Sequence, residues 1–166
     1  MRKTGTLMAT MATALLATVM VVACFQSTAY FRYFSTNIKG WQRDSVLHYH
    51  VPAVEENGYY VEEIGVRACK QYPFRQLSLV VDQKVISTND SHSNIFKTDT
   101  LTFDIFDEMG KIKGKGVNLY QIVIPFKSLK LQKGDSISMD IHHNLSRFSV
   151  NGISDVGLKV TKAYSE

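Results

Sequence analysis

From Trp41 onward apolar and polar residues alternate with a period of two, the spacing of a strand that buries one face and wets the other. In "SVLHYHV" the residues Leu47, Tyr49 and Val51 point one way and His48 and His50 the other, before Pro52 and the "EENG" turn end the run. "TLTFDIF" sets Leu101, Phe103 and Ile105 against Thr102 and Asp104; "SISMDIH" aligns Ile137, Met139 and Ile141; "VGLKV" aligns Val156, Leu158 and Val160. "YYVEEIGVRA", "LSLVVDQKVI" and "LYQIVIPF" are rich in β-branched and aromatic residues and bounded by Gly, Pro, Asn or Asp. The pattern predicts about seven to nine strands and no amphipathic helix. Strands with one apolar face must bury it against a second sheet, so the expected fold is an all-β, antiparallel two-sheet β-sandwich with a Greek-key or jelly-roll path. No internal repeat and no low-complexity segment interrupts it, and "STNDSHSN", Ser87 to Asn94, reads as a polar loop.

The start of the chain is of another kind. Arg2 and Lys3 precede an uncharged run, Leu7 to Val22, rich in Ala, Leu, Val, Met and Thr, the layout of a secretory signal. A membrane-spanning helix needs roughly 20 apolar residues; this run is shorter, is diluted by Thr10, Thr13 and Thr18, and has no positive stop behind it. It ends in Val21, Val22, Ala23 and Cys24, an order that resembles the bacterial lipoprotein signal, which implies a diacylglycerol on Cys24 and cleavage before it. The expected organisation is a signal peptide helix over 1–23, a lipidated tether over 24–40 and a sandwich domain over 41–166. The tether, "FQSTAYFRYFSTNIKGW", is aromatic, so Tyr30, Phe31, Tyr33 and Phe34 pack either on their own domain or on a partner. Without Arg2 and Lys3 the 19 basic residues fall to 17 against 15 acidic ones, a net charge of about +2 with no basic helix, which argues against a nucleic-acid partner. With Cys24 acylated, Cys69 has no disulfide partner in the chain, and its place in "EIGVRAC" suggests a thiol buried in a strand.

Candidate sites are few. His48 and His50 project from one side of a strand, with His142 and His143 as further possible neighbours, but a metal needs three or four converging ligands and a solvated strand face explains the pair more simply. "GKIKGKG", Gly110 to Gly116, has no Lys followed by Ser or Thr at a helix start, as a phosphate loop requires; it reads as a flexible basic hairpin whose Lys111, Lys113 and Lys115 suit an anionic partner. No nucleophile elbow and no HExxH motif occurs, and Asp104 and Asp107 fall on opposite strand faces, wrong for joint acid and base work. The reading is therefore non-enzymatic, without metal or cofactor. The "YPFR" turn, Tyr72, Pro73, Phe74 and Arg75, combines aromatic area, a fixed backbone angle and a guanidinium fork, a composition favoured at contact surfaces; the alternative is that Tyr72 and Phe74 plug the end of the sandwich. A carbohydrate-binding module is the rival class, with Trp41, Tyr72 and Phe74 as its exposed rings.

Three segments, "VRACKQYPFRQLSLVVD", "DTLTFDIFDEMGKIKGKG" and "NGISDVGLKVTKA", stand in the order and at the spacing of the gliding motility lipoprotein GldH family. The resemblance covers nearly all of the chain after Cys24. It departs at Ile112, where an aromatic, usually Trp, is expected, which puts an aromatic contact there in doubt. The resemblance implies a Bacteroidota outer-membrane lipoprotein working beside the gliding and type IX secretion machinery, with envelope proteins as partners and no enzyme activity established. It supplies no active-site residues. Surface-exported lipoproteins of such bacteria carry acidic residues just after the lipidated Cys, and "CFQSTAY" has none, which implies the periplasmic side.

Overall fold

The structure is a computed structural model and describes residues 27–87 and 94–163. The signal segment, Cys24 and the loop residues between Ser87 and Asn94 lie outside the described residues. Within them the chain forms eleven strands: β1 (Thr28–Ser35), β2 (Trp41–Gln42), β3 (Leu47–Val51), β4 (Gly58–Ala68), β5 (Gln76–Ile86), β6 (Ile95–Asp104), β7 (Lys115–Gly116), β8 (Tyr120–Leu131), β9 (Ser136–His143), β10 (Ser149–Val150) and β11 (Ile153–Ala163).

One sheet has the order β1-β11-β4-β8-β7 and the other β3-β9-β5-β6, while β2 and β10 form a short ribbon. All pairings are antiparallel. The long strands are nested: β1 pairs with β11, β3 with β9, β4 with β8 and β5 with β6. That is the path of a jelly roll, and it bears out the expected all-β, two-sheet class.

Alternation decides which atoms meet between the sheets. Tyr60, Ile64, Val66 and Ala68 of β4 and Val156, Leu158 and Val160 of β11 face Leu77, Leu79 and Val81 of β5 and Ile137, Met139 and Ile141 of β9 in one buried cluster. The Tyr49 hydroxyl crosses from β3 to donate to the Val156 carbonyl at 2.7 Å, so the largest ring of that layer enters the core with its polar atom satisfied. Pro125 of β8 lies where the register with β4 shifts, between Glu62 and Glu63, a bulge that tolerates a residue without an N–H.

The segment 24–40 is not a tether throughout. Thr28–Ser35 is β1, paired with β11 from Tyr30↔Val160 to Ser35↔Asp155, so the sandwich begins before Trp41. Aromatic residues on both faces hide its alternation. Tyr30 and Phe34 pack against the core, and Tyr33 lies on the outer face across two glycines that are register partners of each other, Gly65 and Gly157. A Cβ on Gly65 would come within 1.9 Å of the Tyr33 hydroxyl, and one on Gly157 within 2.6 Å of its ring. The Arg67 guanidinium lies over that ring at 4.3 Å. Glycine inside a strand is explained here by the close approach of a ring.

Glu62 is buried among the apolar residues of the core. It follows the inward face of β4 and meets Gln83 of β5, whose Nε2 donates to Glu62 Oε1 at 2.6 Å. Oε2 has no hydrogen-bond partner among the described residues. Burial pushes the carboxyl up to about 7, against the opposing pull of Lys127, which itself pairs with Asp99.

Two predictions follow from this packing. Gly65→Ala should destabilise the domain by about 1 to 3 kcal/mol, and in a Tyr33→Ala background the same change should cost far less, a non-additivity readable in thermal or denaturant melts of the single and double variants. Because the folded Glu62 holds its proton up to about pH 7 while the unfolded one releases it near 4.5, the unfolded state binds fewer protons between those values, and stability falls as pH rises through that window. Glu62→Gln should remove this fall and stabilise the domain at pH 8 by on the order of 3 kcal/mol, measured as the difference in unfolding free energy between pH 5 and pH 8.

Candidate functional site

The strands run between two ends. β1 starts at the end formed by the Pro52 to Asn57 turn and the turn after Leu131, and the opposite end gathers the loops around Tyr72, Gly110, Leu119 and Phe148. The sequence-derived surface residues all fall at this second end, drawn from two separate parts of the chain.

Asp104, the last residue of β6, joins the parts. Its Oδ1 accepts from Gln76 Nε2 at 3.0 Å and its Oδ2 from Lys113 Nζ at 3.0 Å, with Arg75 Nε 3.6 Å away. The Lys113 hydrogen bond, followed by that of Gln76, holds this carboxyl below the usual aspartate range. The other Arg75 nitrogen lies 3.6 Å from Glu108. Backbone bonds add to the brace: Ile105 N–H donates to the Arg75 carbonyl at 2.8 Å, and Lys113 N–H to the Ile105 carbonyl at 2.7 Å. Asp107 Oδ1 accepts the backbone N–H groups of Met109 and Lys111, both at 2.9 Å, and so fixes a turn. Both carboxylates thus serve the shape of the loops.

In the "YPFR" turn, Tyr72 is only 3% exposed and donates to the Gln76 carbonyl at 2.8 Å. Burial raises its hydroxyl pKa above the ordinary value, so it stays protonated and keeps that bond. Phe74 is half-buried, meets Tyr72 edge-on at 5.9 Å, and is covered by the Arg147 guanidinium at 5.4 Å. The structure thus gives Tyr72 the plugging role, and of the turn only Pro73 and Arg75 are exposed.

The "GKIKGKG" stretch divides in the same manner. Ile112 is 7% exposed, bridged to Phe106 and part of the core, so its departure from an aromatic concerns packing rather than an external contact. Lys113 is held by Asp104, whereas Lys111 and Lys115 are exposed. A Cβ on Gly114, at φ 95°, would lie 2.4 Å from the Gln121 carbonyl oxygen, which requires glycine where the loop crosses β8. The stretch is therefore a turn braced by Asp104 and Asp107.

Other candidates are reassigned. Of the rings expected to face a sugar, Trp41 is 1% exposed and Tyr72 is buried, which leaves no aromatic platform of these three. Trp41 Nε1 donates to the Ser45 carbonyl at 3.0 Å, and its ring stands edge-on to His143 at 5.1 Å. Burial lowers the His143 pKa, so the imidazole is neutral beside that ring. His48 and His50 do share an exposed face, and His48 Nδ1 lies 2.8 Å from Asp140. No three His, Cys, Asp or Glu side chains converge as a metal site among the described residues. Cys69 sits just beyond β4, half-buried rather than within the strand, with its N–H bonded to the Gly152 carbonyl at 2.8 Å.

Two features passed unremarked in the sequence although a signal for each was present. Glu62 occupies an inward position of the alternation Tyr60, Glu62, Ile64, Val66, Ala68, and Gly65 and Gly157 each interrupt a strand pattern.

Fold and site together define a jelly-roll β-domain with a braced, basic loop end. The family model for the GldH lipoprotein matches residues 28–160, and the chain belongs to the GldH lipoprotein family. The gliding motility lipoprotein GldH of Flavobacterium johnsoniae is 26% identical over 102 residues, 61% of this chain and 60% of that relative's length. Among solved structures, the Eiger TNF of S. frugiperda is 12% identical, with 82% of this chain and 93% of that chain covered and a TM-score of 0.35. The GH115 4-O-methyl-α-glucuronidase BtGH115A is 8% identical, with 85% of this chain and 18% of that one covered and a TM-score of 0.44.

The division of the turn into plug and surface is testable. Tyr72→Ala should destabilise the domain by about 3 to 5 kcal/mol, while Arg75→Ala, exposed and only loosely paired, should change it by less than about 1 kcal/mol; chemical denaturation of both variants reads the difference.

Proposed function

We propose that the chain is a lipid-anchored, non-enzymatic assembly component of the cell envelope, held on the periplasmic side of the outer membrane by acyl groups on Cys24 and working with gliding or type IX secretion proteins. The carrying observation is the spacing of anchor and sheet. β1 opens at Thr28, so three residues, Phe25 to Ser27, separate the acylated Cys from a strand bonded to β11 along the edge of the five-stranded sheet. At roughly 3.5 Å per residue the lipid lies within about 14 Å of the sheet. The end of the sandwich carrying the start of β1 rests at the bilayer, and the braced loop end projects roughly 35 Å above it, the length of an eleven-residue strand.

The membrane-facing end has a suitable composition. Tyr59, Ile95 and Phe96 are exposed there, Tyr59 opposite Lys130 and Phe96 opposite Lys84 in register; such rings and amphipathic lysines suit a headgroup layer. Each buried methylene contributes about 0.8 kcal/mol, and two or more acyl chains make the anchoring stable. The lipoprotein family membership and the gliding motility relative support the envelope role.

The test compares the native lipoprotein with Cys24→Ser. Labelled palmitate should enter the first and not the second. After crosslinking and detergent extraction, envelope proteins of the motility or secretion machinery should accompany the anchored form alone. Recovery of glycan with no protein would replace this reading with a carbohydrate-binding one.

A further inference from the structure

We infer that the groove bounded by Lys70, Lys111 and Lys115 at the loop end is a docking site for an acidic, apolar-containing segment of another envelope protein. This rests on the assembly reading and gives it a location and a partner chemistry. The groove encloses about 750 Å³. Lys70 reaches it from the turn after β4 and Lys111 and Lys115 from the "GKIKGKG" loop, so only the tertiary fold brings the three together. Phe106, Ile112 and Tyr120 line it between them, and no carboxylate does.

The neighbouring acids are already engaged: Asp104 with Lys113, Gln76 and Arg75, Asp107 with two backbone N–H groups, and Glu108 with Arg75. No ion-pair partner for Lys70, Lys111 or Lys115 occurs among the described residues. Lys113, the lysine of the loop with a structural task, is held by Asp104 and does not line the groove. A second depression of about 420 Å³ shares Lys70 and Tyr120 and is lipped by Val117, 84% exposed, and Leu119. Like charges gathered without counter-charge around apolar side chains repel one another in the free protein and are relieved by a complementary partner.

Charge selects an anion, and the apolar lining selects a protein segment over a purely polar polyanion. The membrane that holds Cys24 is excluded by distance. It lies at the far end of the strands, roughly 35 Å away, against a screening length of about 8 Å at physiological salt.

The experiment uses the full lipidated protein in its own envelope. A zero-length carbodiimide joins lysine amines to carboxylates in contact with them, and peptide mapping locates the bonds. Isopeptide bonds to Asp or Glu of another protein should concentrate at Lys70, Lys111 and Lys115. Recovery of that partner should fall about tenfold in the triple variant Lys70→Glu, Lys111→Glu, Lys115→Glu, and by less in the corresponding triple Gln variant, whose melting temperature should match the parent. Lys39→Glu, at an exposed lysine in the turn after β1 that does not line the groove, should leave recovery unchanged. Bonds spread evenly over the exposed lysines, or undiminished partner recovery in the triple variants, would overturn the groove while leaving the assembly reading in place. Shielding of the three lysines from acetylation without any protein bond to them would assign the groove to a glycan or lipid and also overturn it. Failure of the assembly reading is separate, since it appears as absence of partners from the unmodified lipoprotein.

Discussion

Strand β1 pairs with β11 residue by residue from Tyr30 to Ser35, and this ladder joins the first strand of the domain to its last. The remaining nested pairs lie inside that closure, so the eight long strands of the jelly roll are held as one body from their two ends inward. Tyr33 fastens the ladder from outside, lying over Gly65 and Gly157 with Arg67 above it. The same ladder sets the start of β1 at one end of the sandwich and the braced loops at the other.

The interior carries polar groups at a few points, and they are accommodated in different ways. Tyr49 spends its hydroxyl on a backbone carbonyl in the opposite sheet, His143 is neutral against Trp41, and Glu62 shares a hydrogen bond with Gln83 while one oxygen stays unpartnered. Glu62 carries a protonation equilibrium near neutral pH. A buried acid without a full set of partners destabilises the fold when it ionises, so this position makes stability depend on pH without any catalytic arrangement around it.

At the loop end the charges divide by task. Asp104 gathers Arg75, Gln76 and Lys113, and Asp107 closes the turn that follows. With the acids spent on shape, Lys70, Lys111 and Lys115 remain as a surface of one sign over an apolar floor. The division explains why residues adjacent in sequence have different roles: Ile112 packs inward, Lys113 braces, and Lys111 and Lys115 face outward.

Alternation in "SVLHYHV", "TLTFDIF", "SISMDIH" and "VGLKV" was enough to determine the strands, their buried faces and the need for a second sheet, because side-chain direction in a strand follows from position alone. The same alternation placed His48 and His50 on one outer face. Strand β1 escaped it because its aromatic residues occupy both faces, one covered by the core and the other resting on glycines contributed by β4 and β11. The sequence could offer Tyr72 and Phe74 as surface or as plug, and it grouped Lys113 with Lys111 and Lys115. Tertiary structure decided these cases, since burial and ion pairing depend on how the loops fold against one another and not on alternation. Gln76 receives the Tyr72 hydroxyl, Asp104 takes Lys113, and Lys70 completes the groove from a turn some forty positions earlier. Local order along the chain sets which way a side chain points; only the meeting of distant strands sets what it touches.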